Sequence, residues 1–215
     1  MGRMSRHYDE IAFTDAVSAI QERYGSRSFY DRRKARGGGA GDLLSDDERD
    51  YLSRRDSFYL ATVSETGWPY VQFRGGPPGF LRVLDPHTIG WADFRGNLQY
   101  ISTGNLATND RVALIVMDYP HRERLKIYGR ARVAYIEDEP ELVAQLALPD
   151  YQAVPQRAVV VTVEAFDWNC PQHITPRYTV EELEPALASL RQRIRDLEAE
   201  NAELREVSAR RSPPA

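Results

Sequence analysis

The sequence predicts a mainly β protein of the α+β class, with an antiparallel sheet that closes on itself and flanking helices. Three observations lead to this prediction. From Phe58 onward, short runs rich in β-branched and aromatic residues alternate with glycine, proline and aspartate. No long helical pattern separates these runs, so antiparallel pairing is expected, and closure of the sheet would remove its exposed edges. A heptad pattern of leucines follows the last run.

Seven segments have strand character, which allows six or seven strands. Their connections, such as ETGWP and GGPPG, are typical of tight turns. Short helices are expected over 97–105 and 139–148. The strand segments are FYLATV (58–63), YVQFR (70–74), FLRVL (80–84), TIGWADF (88–94), RVALIVMDY (111–119), RLKIYGRARVAYI (124–136) and RAVVVTVEAF (157–166).

The first 56 residues predict helices joined by a loop. Apolar residues between Tyr8 and Tyr24 recur at close to helical spacing, which predicts a helix there. The segment SFYDRRKARGGGAG (28–41) has four glycines in its last five positions and predicts a flexible loop. Ser45 and Glu48 form a capping box, which predicts a helix over 46–54.

The C-terminal segment predicts a coiled coil. Its apolar residues alternate in steps of four and three, and the charges at its e and g positions would pair with opposite sign in a parallel dimer. An asparagine at an a position favours two strands in register. The alternative is an amphipathic helix that packs on its own domain. The a positions are Leu187, Ile194 and Asn201, the d positions are Leu183, Leu190, Leu197 and Leu204, and the charge pairs are Arg193 with Glu198 and Glu200 with Arg205.

These patterns predict four regions. They are an N-terminal helical segment with a glycine-rich loop (1–56), a barrel domain (57–178), a coiled-coil helix (179–208) and a disordered tail (209–215).

Composition and charge narrow the functional classes. A net charge of −4 gives no general reason to expect nucleic acid or an anionic membrane as a partner. No apolar run is long enough to span a bilayer, and the N-terminus has no signal-peptide core, so we expect a cytoplasmic protein. The single cysteine, Cys170, excludes an internal disulfide and a multi-cysteine zinc site, and no metal is expected.

Several catalytic motifs do not occur. The sequence has no G-x-G-x-x-G after a strand, no H-E-x-x-H, no G-x-S-x-G and no Walker lysine, which disfavours Rossmann-type hydride transfer and serine hydrolysis. A DNA-binding zipper would need a basic region before the heptads, whereas TVEELE precedes them here.

Residues 57–132 hold the main candidate site. One strand ends in Arg74-Gly75-Gly76, where missing side chains would let a flat ring approach the backbone. The next polar segment, Asp93-Phe94-Arg95-Gly96-Asn97, leads into a short helix, and a helix N-terminus beside an arginine can bind phosphate. The alternative for each of these residues is a solvated barrel rim. The polar residues of the short helix are Gln99, Ser102 and Asn105, and further cations on the later strand are Arg122, Arg124 and Lys126.

The order of these motifs resembles that of the pyridoxamine-5'-phosphate-oxidase-like, FMN-binding split-barrel family. The similarity consists of a strand LATV, a W-P turn, DFRGN, S-x-G-N-L, RVALIVM and RLKIYG. The segment WNCPQHITPR (168–177) is similar to the W-N-C-P-Q-H-I-x-P-R segment of some family members. The resemblance covers roughly residues 8–180.

The resemblance implies a six-stranded split β-barrel that forms a homodimer, with FMN in clefts between the subunits. It implies that the strand end at 72–75 lies beside the isoalloxazine ring and that 168–177 of the partner cover the ring. It also implies that Arg95, Asn97 and Gln99 approach the phosphate and ribityl chain, with Ser102, Asn105, Arg124 and Lys126 near. The cofactor-binding residues that it implies are Gln72, Phe73, Arg74, Gly75, Asp93, Phe94, Arg95, Asn97, Gln99, Ser102, Asn105, Arg124, Lys126, Trp168, Cys170, Gln172, His173 and Arg177.

The sequence departs from true pyridoxamine-phosphate oxidases. It has QFRGG and FRGN where those enzymes have R-x-x-L-L-K and S-R-K, and it lacks their C-terminal R-L-H-D-R segment. We therefore expect an FMN-dependent oxidoreductase that acts on another small molecule and is reduced by NAD(P)H or by a protein. The alternative is a non-catalytic module, or one that uses the same cleft for haem or deazaflavin F420.

Overall fold

The computed structural model describes residues 6–35, 41–168 and 171–211. The chain divides into two compact units, the first ending at Ile174 and the second beginning at Thr175. The elements are α1 (Arg6–Ala12), α2 (Asp15–Arg23), α3 (Arg27–Ala35), α4 (Asp46–Ser53), β1 (Ser57–Val63), β2 (Pro69–Gly75), β3 (Arg82–Asp85), β4 (Thr88–Phe94), α5 (Ile101–Thr108), β5 (Arg111–Asp118), β6 (Glu123–Tyr135), α6 (Pro140–Leu146), β7 (Pro155–Trp168) and α7 (Val180–Arg211).

The first unit is built on an antiparallel sheet with the strand order β2-β1-β5-β6-β7-β4-β3. The prediction of an α+β split barrel with flanking helices is confirmed, but the described sheet has seven strands instead of six. The segment predicted as FLRVL forms β3, which has only four residues and pairs with β4 as a hairpin. The Asp85 carboxylate stabilises this hairpin by accepting a hydrogen bond of 2.7 Å from the His87 N–H.

The sheet curls so that its two halves share one core. Phe58 of β1 packs against Trp91 of β4, with ring centroids 4.9 Å apart, although β5, β6 and β7 separate these strands in the sheet. Every second residue of β1 and β5 is buried, as expected for strands with one face on a core. The end strands β2 and β3 do not pair with each other, and this is where the barrel is split.

The N-terminal region forms more helix than predicted. The helix expected between Tyr8 and Tyr24 is two helices, α1 and α2, because Thr14 caps α2 by accepting a bond of 3.4 Å from the Val17 N–H. The loop prediction is wrong for residues 28–35, which lie in α3. An Arg27–Asp31 ion pair at 3.1 Å stabilises this helix. Residues 36–40, with most of the glycine run, lie outside the described residues.

The helix predicted from the capping box is confirmed as α4. The Ser45 N–H donates to Glu48 Oε2 at 2.9 Å, and the helix buries Tyr51 and Leu52 in the core. The helix expected over 97–105 begins only at Ile101, because Leu98 and Tyr100 have φ angles of 62° and 51°, which a right-handed helix does not allow. The helix expected over 139–148 is α6.

The second unit contains α7. The Glu182 carboxylate accepts a bond of 2.8 Å from the Thr179 N–H, and the Glu182 N–H donates to Thr179 Oγ1 at 3.2 Å, so the helix begins with a capping box. It extends to Arg211, three residues into the predicted tail, and residues 212–215 lie outside the described part of the chain. Among the described helices, none is both long and apolar enough to cross a membrane.

Candidate functional site

An open cleft of about 210 Å³ lies where β2 faces β4 across the split of the barrel. Strand β2 alternates between exposed residues and half-buried ones, and the half-buried set faces the cleft. The loop before α5 and the first turn of α5 close one side. The lining residues are Tyr70, Gln72, Arg74, Asp93, Phe94, Gly96, Asn97, Leu98, Gln99, Tyr100, Ile101, Ser102, Thr103 and Arg157.

The charged part of the cleft is an Arg74–Asp93–Arg157 cluster. Asp93 is 4% exposed and accepts a short hydrogen bond from Arg74 Nη1 of β2. Its other oxygen, Oδ2, lies 2.9 Å from Arg157 Nε of β7. The Arg157 Nε–H does not have hydrogen-bond geometry toward this oxygen, so the second contact is an ion pair without a hydrogen bond. The cluster joins three strands and has one positive charge in excess.

Sheet register explains how the cluster forms. Asp93 and Arg157 are direct partners in the β4–β7 ladder, so their side chains share one face of the sheet. Arg157 Nη2 also donates to Gln156 Oε1 at 2.8 Å, and its guanidinium lies 4.8 Å from the centroid of the Tyr100 ring. These contacts restrict the orientation of the Arg157 side chain.

Polar side chains join the loop and α5 to the strands. Ser102 Oγ donates to Gln72 Oε1 at 2.7 Å, and the Gln99 N–H donates to Asn97 Oδ1 at 3.2 Å. Between Asn97 and Ser102, the positive φ angles of Leu98 and Tyr100 turn the backbone sharply. Such left-handed residues other than glycine cost roughly 1–3 kcal/mol each and concentrate at functional sites.

Seven of the predicted site residues line the cleft together. They are Gln72, Arg74, Asp93, Phe94, Asn97, Gln99 and Ser102.

Four predicted residues from the same segments lie outside the lining. Phe73 is on the opposite face of β2, 59% exposed, with its ring centroid 5.7 Å from that of Tyr59. Asn105 is buried and donates to Thr62 Oγ1 at 2.9 Å. Gly75 ends β2, and Arg95 is exposed, with its N–H bonded to the Val154 carbonyl at 2.9 Å.

Arg124 and Lys126 lie on β6, opposite Met117 and Ile115 of β5. Strand β6 is three places from β2 in the sheet, which corresponds to about 14 Å at the usual strand spacing. Neither side chain lines the cleft of its own chain.

The segment after the last strand has mixed placements. Trp168 ends β7, and its indole Nε1–H donates to Glu48 Oε1 at 2.7 Å while its ring packs on Tyr51 at 4.6 Å. Gln172 and His173 are exposed. Cys170 lies outside the described residues, and Arg177 belongs to the second unit.

Glu48 is ionised more readily than a free glutamate. Burial alone would raise the pKa of its carboxyl, but hydrogen bonds from Ser45 and Trp168 outweigh burial, and the pKa is lowered. The charged form therefore stabilises the junction between α4 and the end of β7.

Sequence reasoning missed Arg157 and the two tyrosines of the cleft, Tyr70 and Tyr100. One signal was present for Arg157, because it directly precedes the apolar run AVVV, and a charged residue that enters a buried strand needs a charged partner. Its partner Asp93 could not be identified without the β4–β7 register.

The comparison with protein families agrees with this fold. The family model described as pyridoxamine 5'-phosphate oxidase matches residues 44–168. No curated protein matches the sequence.

Solved structures with similar folds include HupZ of Group A Streptococcus, which is 17% identical with a TM-score of 0.47 over 58% of this chain and 92% of that one. They also include an FMN-binding protein from Syntrophomonas wolfei, 14% identical, with a TM-score of 0.42 over 56% of this chain and 87% of that one. An F420 reductase is 19% identical, with a TM-score of 0.41 over 58% of this chain and 96% of that one.

The family match includes every strand of the sheet and both sides of the cleft. It spans more than half of the 215 residues. The chain therefore belongs to the pyridoxamine 5'-phosphate oxidase family.

Proposed function

We propose that this protein is an FMN-binding flavoprotein that acts as an oxidoreductase on a small molecule, with FMN in the cleft between β2 and β4. The observation that carries the proposal is the Arg74–Asp93–Arg157 cluster, whose excess positive charge lines an open cleft. The Arg74 Nε atom is buried without a hydrogen-bond partner among the described residues. A phosphorylated ligand would supply both the missing acceptor and the missing negative charge.

The remaining lining suits the other parts of FMN. Tyr70, Tyr100 and Ile101 offer apolar surface for a flat ring, and Gln72, Asn97 and Gln99 offer amides for the hydroxyls of the ribityl chain and the edge of the ring. The loop turns at Leu98 and Tyr100 direct the chain into α5, whose N-terminus favours an anion. When bound, FMN would supply the redox chemistry, and these residues would orient it.

We further propose that the protein acts as a homodimer and that the partner completes the cleft. The volume of about 210 Å³ is below the range of roughly 300–1,000 Å³ that is usual for ligand pockets. The outer face of β2, β1 and β5 offers a surface for a second copy, because Tyr59 pairs with both Phe73 and Ile115 and all three side chains are exposed. Val71 extends the same face with 61% exposure.

Some of the predicted residues that do not line the cleft of their own chain would reach it from the partner. Among the predicted ones, Gln172 and His173 are exposed and are proposed for this role, together with Arg124, Lys126 and Arg177. We assign Trp168 to its own subunit, because Glu48 and Tyr51 already hold its indole.

The chain would also dimerise through α7. The d residues Leu183, Leu190, Leu197 and Leu204 are between 41% and 63% exposed, and they form one apolar stripe along the helix. The complementary e and g charges favour a second, parallel copy.

The purified full-length protein provides the test. We expect a yellow protein, release of FMN on denaturation with its mass confirmed by mass spectrometry, and reduction of the bound flavin by NADH or NADPH without oxygen. Arg74→Gln should weaken FMN binding at least tenfold, whereas Arg130→Gln, on the outer face of β6 and bonded to Asp110 and Glu164, should not.

A colourless protein that does not quench the fluorescence of added FMN would refute the proposal. Extraction of haem or deazaflavin F420 in place of FMN would support the alternative of a different cofactor. FMN binding without reduction by either nucleotide would leave a flavoprotein that another donor reduces.

A further inference from the structure

Strand β6 extends beyond its neighbour β5, and this leaves part of one edge of β6 open. The β5–β6 ladder begins with Arg111 opposite Arg130, whereas the β6–β7 ladder continues to Tyr135. Within the described sheet, residues 131–135 therefore pair with β7 alone. About 16 Å of strand edge is thus open at the usual rise per residue.

The backbone groups at this edge point outward at every second residue. The Ala131 N–H points to the side of β5, because it donates to the Asp110 carbonyl at 2.7 Å just before that strand begins. Alternate residues of a strand direct their N–H and C=O groups to the same side. The N–H and C=O of Val133 and the N–H of Tyr135 therefore also face the open edge, and none of these groups has a hydrogen-bond partner among the described residues.

A groove of about 530 Å³ follows this edge, with α5 as its other wall. Thr103, Leu106 and Ala107 line the groove from the helix. Arg132 and Val133 both line it from the strand, although neighbouring residues lie on opposite faces of a sheet. A strand contributes both of its faces to a groove only where its edge is accessible, so the groove exposes the backbone itself.

The arginines beside the groove already have acidic partners. Arg130 Nη1 lies 3.0 Å from Asp110 Oδ1, and Arg130 Nε lies 2.6 Å from Glu164 Oε1. Arg132 Nη2 donates to Glu139 Oε2 at 3.0 Å. Three carboxylates thus neutralise two guanidiniums, and neither guanidinium is available to an acidic ligand.

The turn that follows the open edge adds negative charge. Its sequence over 137–141 is EDEPE. Glu137, Asp138 and Glu141 are exposed, and none of them forms an ion pair with another residue of the described chain. A ligand with positive charge is therefore favoured at this end of the groove.

We propose that the groove between α5 and residues 131–135 binds an extended, basic peptide of a partner protein, which adds a strand to the open edge of β6. The peptide backbone would bond to Val133 and Tyr135, and its alternate side chains would pack on Leu106 and Ala107. A second copy of this chain is a poor source of the strand, because its own edge has the same excess of negative charge. The groove is separate from the cleft between β2 and β4, so the proposal does not depend on a cofactor.

The test uses the full chain and a labelled heptapeptide of alternating lysine and valine, with binding followed by fluorescence anisotropy. We expect this basic peptide to bind with a Kd below about 1 mM, and its counterpart with glutamate in place of lysine to bind at least about tenfold more weakly. N-methylation removes N–H groups from one side of an extended peptide when only the valines, or only the lysines, are methylated. One of these two methylated peptides, and not the other, should bind at least about tenfold more weakly than the parent peptide.

Two variants block the groove by different means. Val133→Pro removes an N–H that faces the open edge and leaves the bonds to β7 in place, because that N–H points away from β7. Ala107→Phe fills the groove from an exposed position of α5. Each variant should weaken binding of the basic peptide at least about fivefold. If circular dichroism shows that Val133→Pro does not fold, Ala107→Phe decides by the same measurement.

The charge of the acidic turn is tested separately. Glu137→Gln combined with Asp138→Asn should weaken binding of the basic peptide about 3- to 10-fold. Asp46→Asn combined with Asp47→Asn is the matched control, since these acidic residues lie in the first turn of α4 and are exposed. The control should leave the Kd unchanged.

Three results would overturn the proposal. In the first, the basic peptide does not bind, or binds no more tightly than the acidic one. In the second, the two methylated peptides bind equally, or both groove variants bind the basic peptide as the wild type does. In the third, Val133→Pro lowers the sedimentation coefficient of the chain without peptide, which would mean that a second copy already covers this edge.

Discussion

Trp168 at the end of β7 donates its indole N–H to the Glu48 carboxylate of α4, and the two residues are 120 positions apart in the chain. The same carboxylate accepts the Ser45 N–H, so one buried charge both caps a helix and fixes the end of the last strand. The motif that resembled a flavin-covering segment therefore begins with a residue that is bound within its own subunit.

Replacement of this carboxylate should destabilise the fold. We expect Glu48→Gln to lower the free energy of unfolding by about 1.5–3 kcal/mol, because hydrogen bonds to a charged group are lost in a buried setting. Glu139→Gln is the matched control, since Glu139 pairs with Arg132 on the surface, where solvent screens the interaction, and its replacement should cost much less stability. Urea unfolding measures the stability of both variants, and equal losses of stability would contradict the role of the Glu48 carboxylate.

Acid should remove the contribution of Asp118 to the stability of the fold. Burial would raise the pKa of this carboxyl, but hydrogen bonds from His121 and the positive charge of Arg55 lower the pKa overall. Arg55 Nη1 lies 2.6 Å from Asp118 Oδ2. A lowered folded-state pKa means that the stabilisation is complete above the unfolded-state pKa of about 3.9 and is lost as the pH falls through the folded-state value. Below about pH 4, the stability of the wild type should therefore fall more steeply than that of Asp118→Asn. Parallel curves of Tm against pH would rule out this role.

Gly129 is expected to tolerate no side chain. It lies at the register shift between β6 and β7, where an added Cβ would be 2.5 Å from the Thr162 carbonyl oxygen. Gly129→Ala should lower the free energy of unfolding by at least about 2 kcal/mol, because backbone must move. Gly104→Ala in α5 meets nothing within 4 Å and should stabilise the protein by about 0.5–1 kcal/mol. Unfolding of both variants at the same denaturant concentration would contradict the close approach of Gly129 to the Thr162 carbonyl.

Asn105 should stabilise the fold through its hydrogen bond to Thr62. Their buried side chains share a hydrogen bond of 2.9 Å, so a double-mutant cycle with Asn105→Ala and Thr62→Val should give a coupling of about 1 kcal/mol. FMN affinity of the folded Asn105→Ala protein should stay within about threefold of the wild type. A coupling near zero, with a large loss of affinity, would instead place Asn105 at the ligand.

Truncation after Tyr178 should leave a flavin-binding dimer. The cleft and the apolar face of β2, β1 and β5 belong to the first unit, whereas α7 belongs to the second. Sedimentation and FMN titration of the truncated chain are the measurements. A monomer that binds no FMN would show that α7 supplies the dimer interface.

The strands were predictable because their signals are local. The runs of β-branched and aromatic residues that mark β1 and β5 are short and local, and the capping box at Ser45 and Glu48 needs only four residues. Helix α3 was missed because the adjacent glycine run suggested a loop, whereas the Arg27–Asp31 pair favours helix.

The cleft was only partly predictable, because its charges come from three strands. The pairing of Asp93 with Arg157 depends on register, and the contact with Arg74 depends on how far the sheet curls. Similarity to a family likewise could not show that Glu48 already holds the Trp168 indole. The left-handed Leu98 and Tyr100 have no local signal, since both residues usually avoid that conformation.

The two end strands of the sheet, each paired on one side only, also affect how readily the protein aggregates. Strand β3 has only four residues, and β2 begins at Pro69 and is followed within three residues by Pro77-Pro78. Short edges and prolines block the addition of further strands from other molecules. The split of the barrel is thus bordered by edges that resist growth into fibrils.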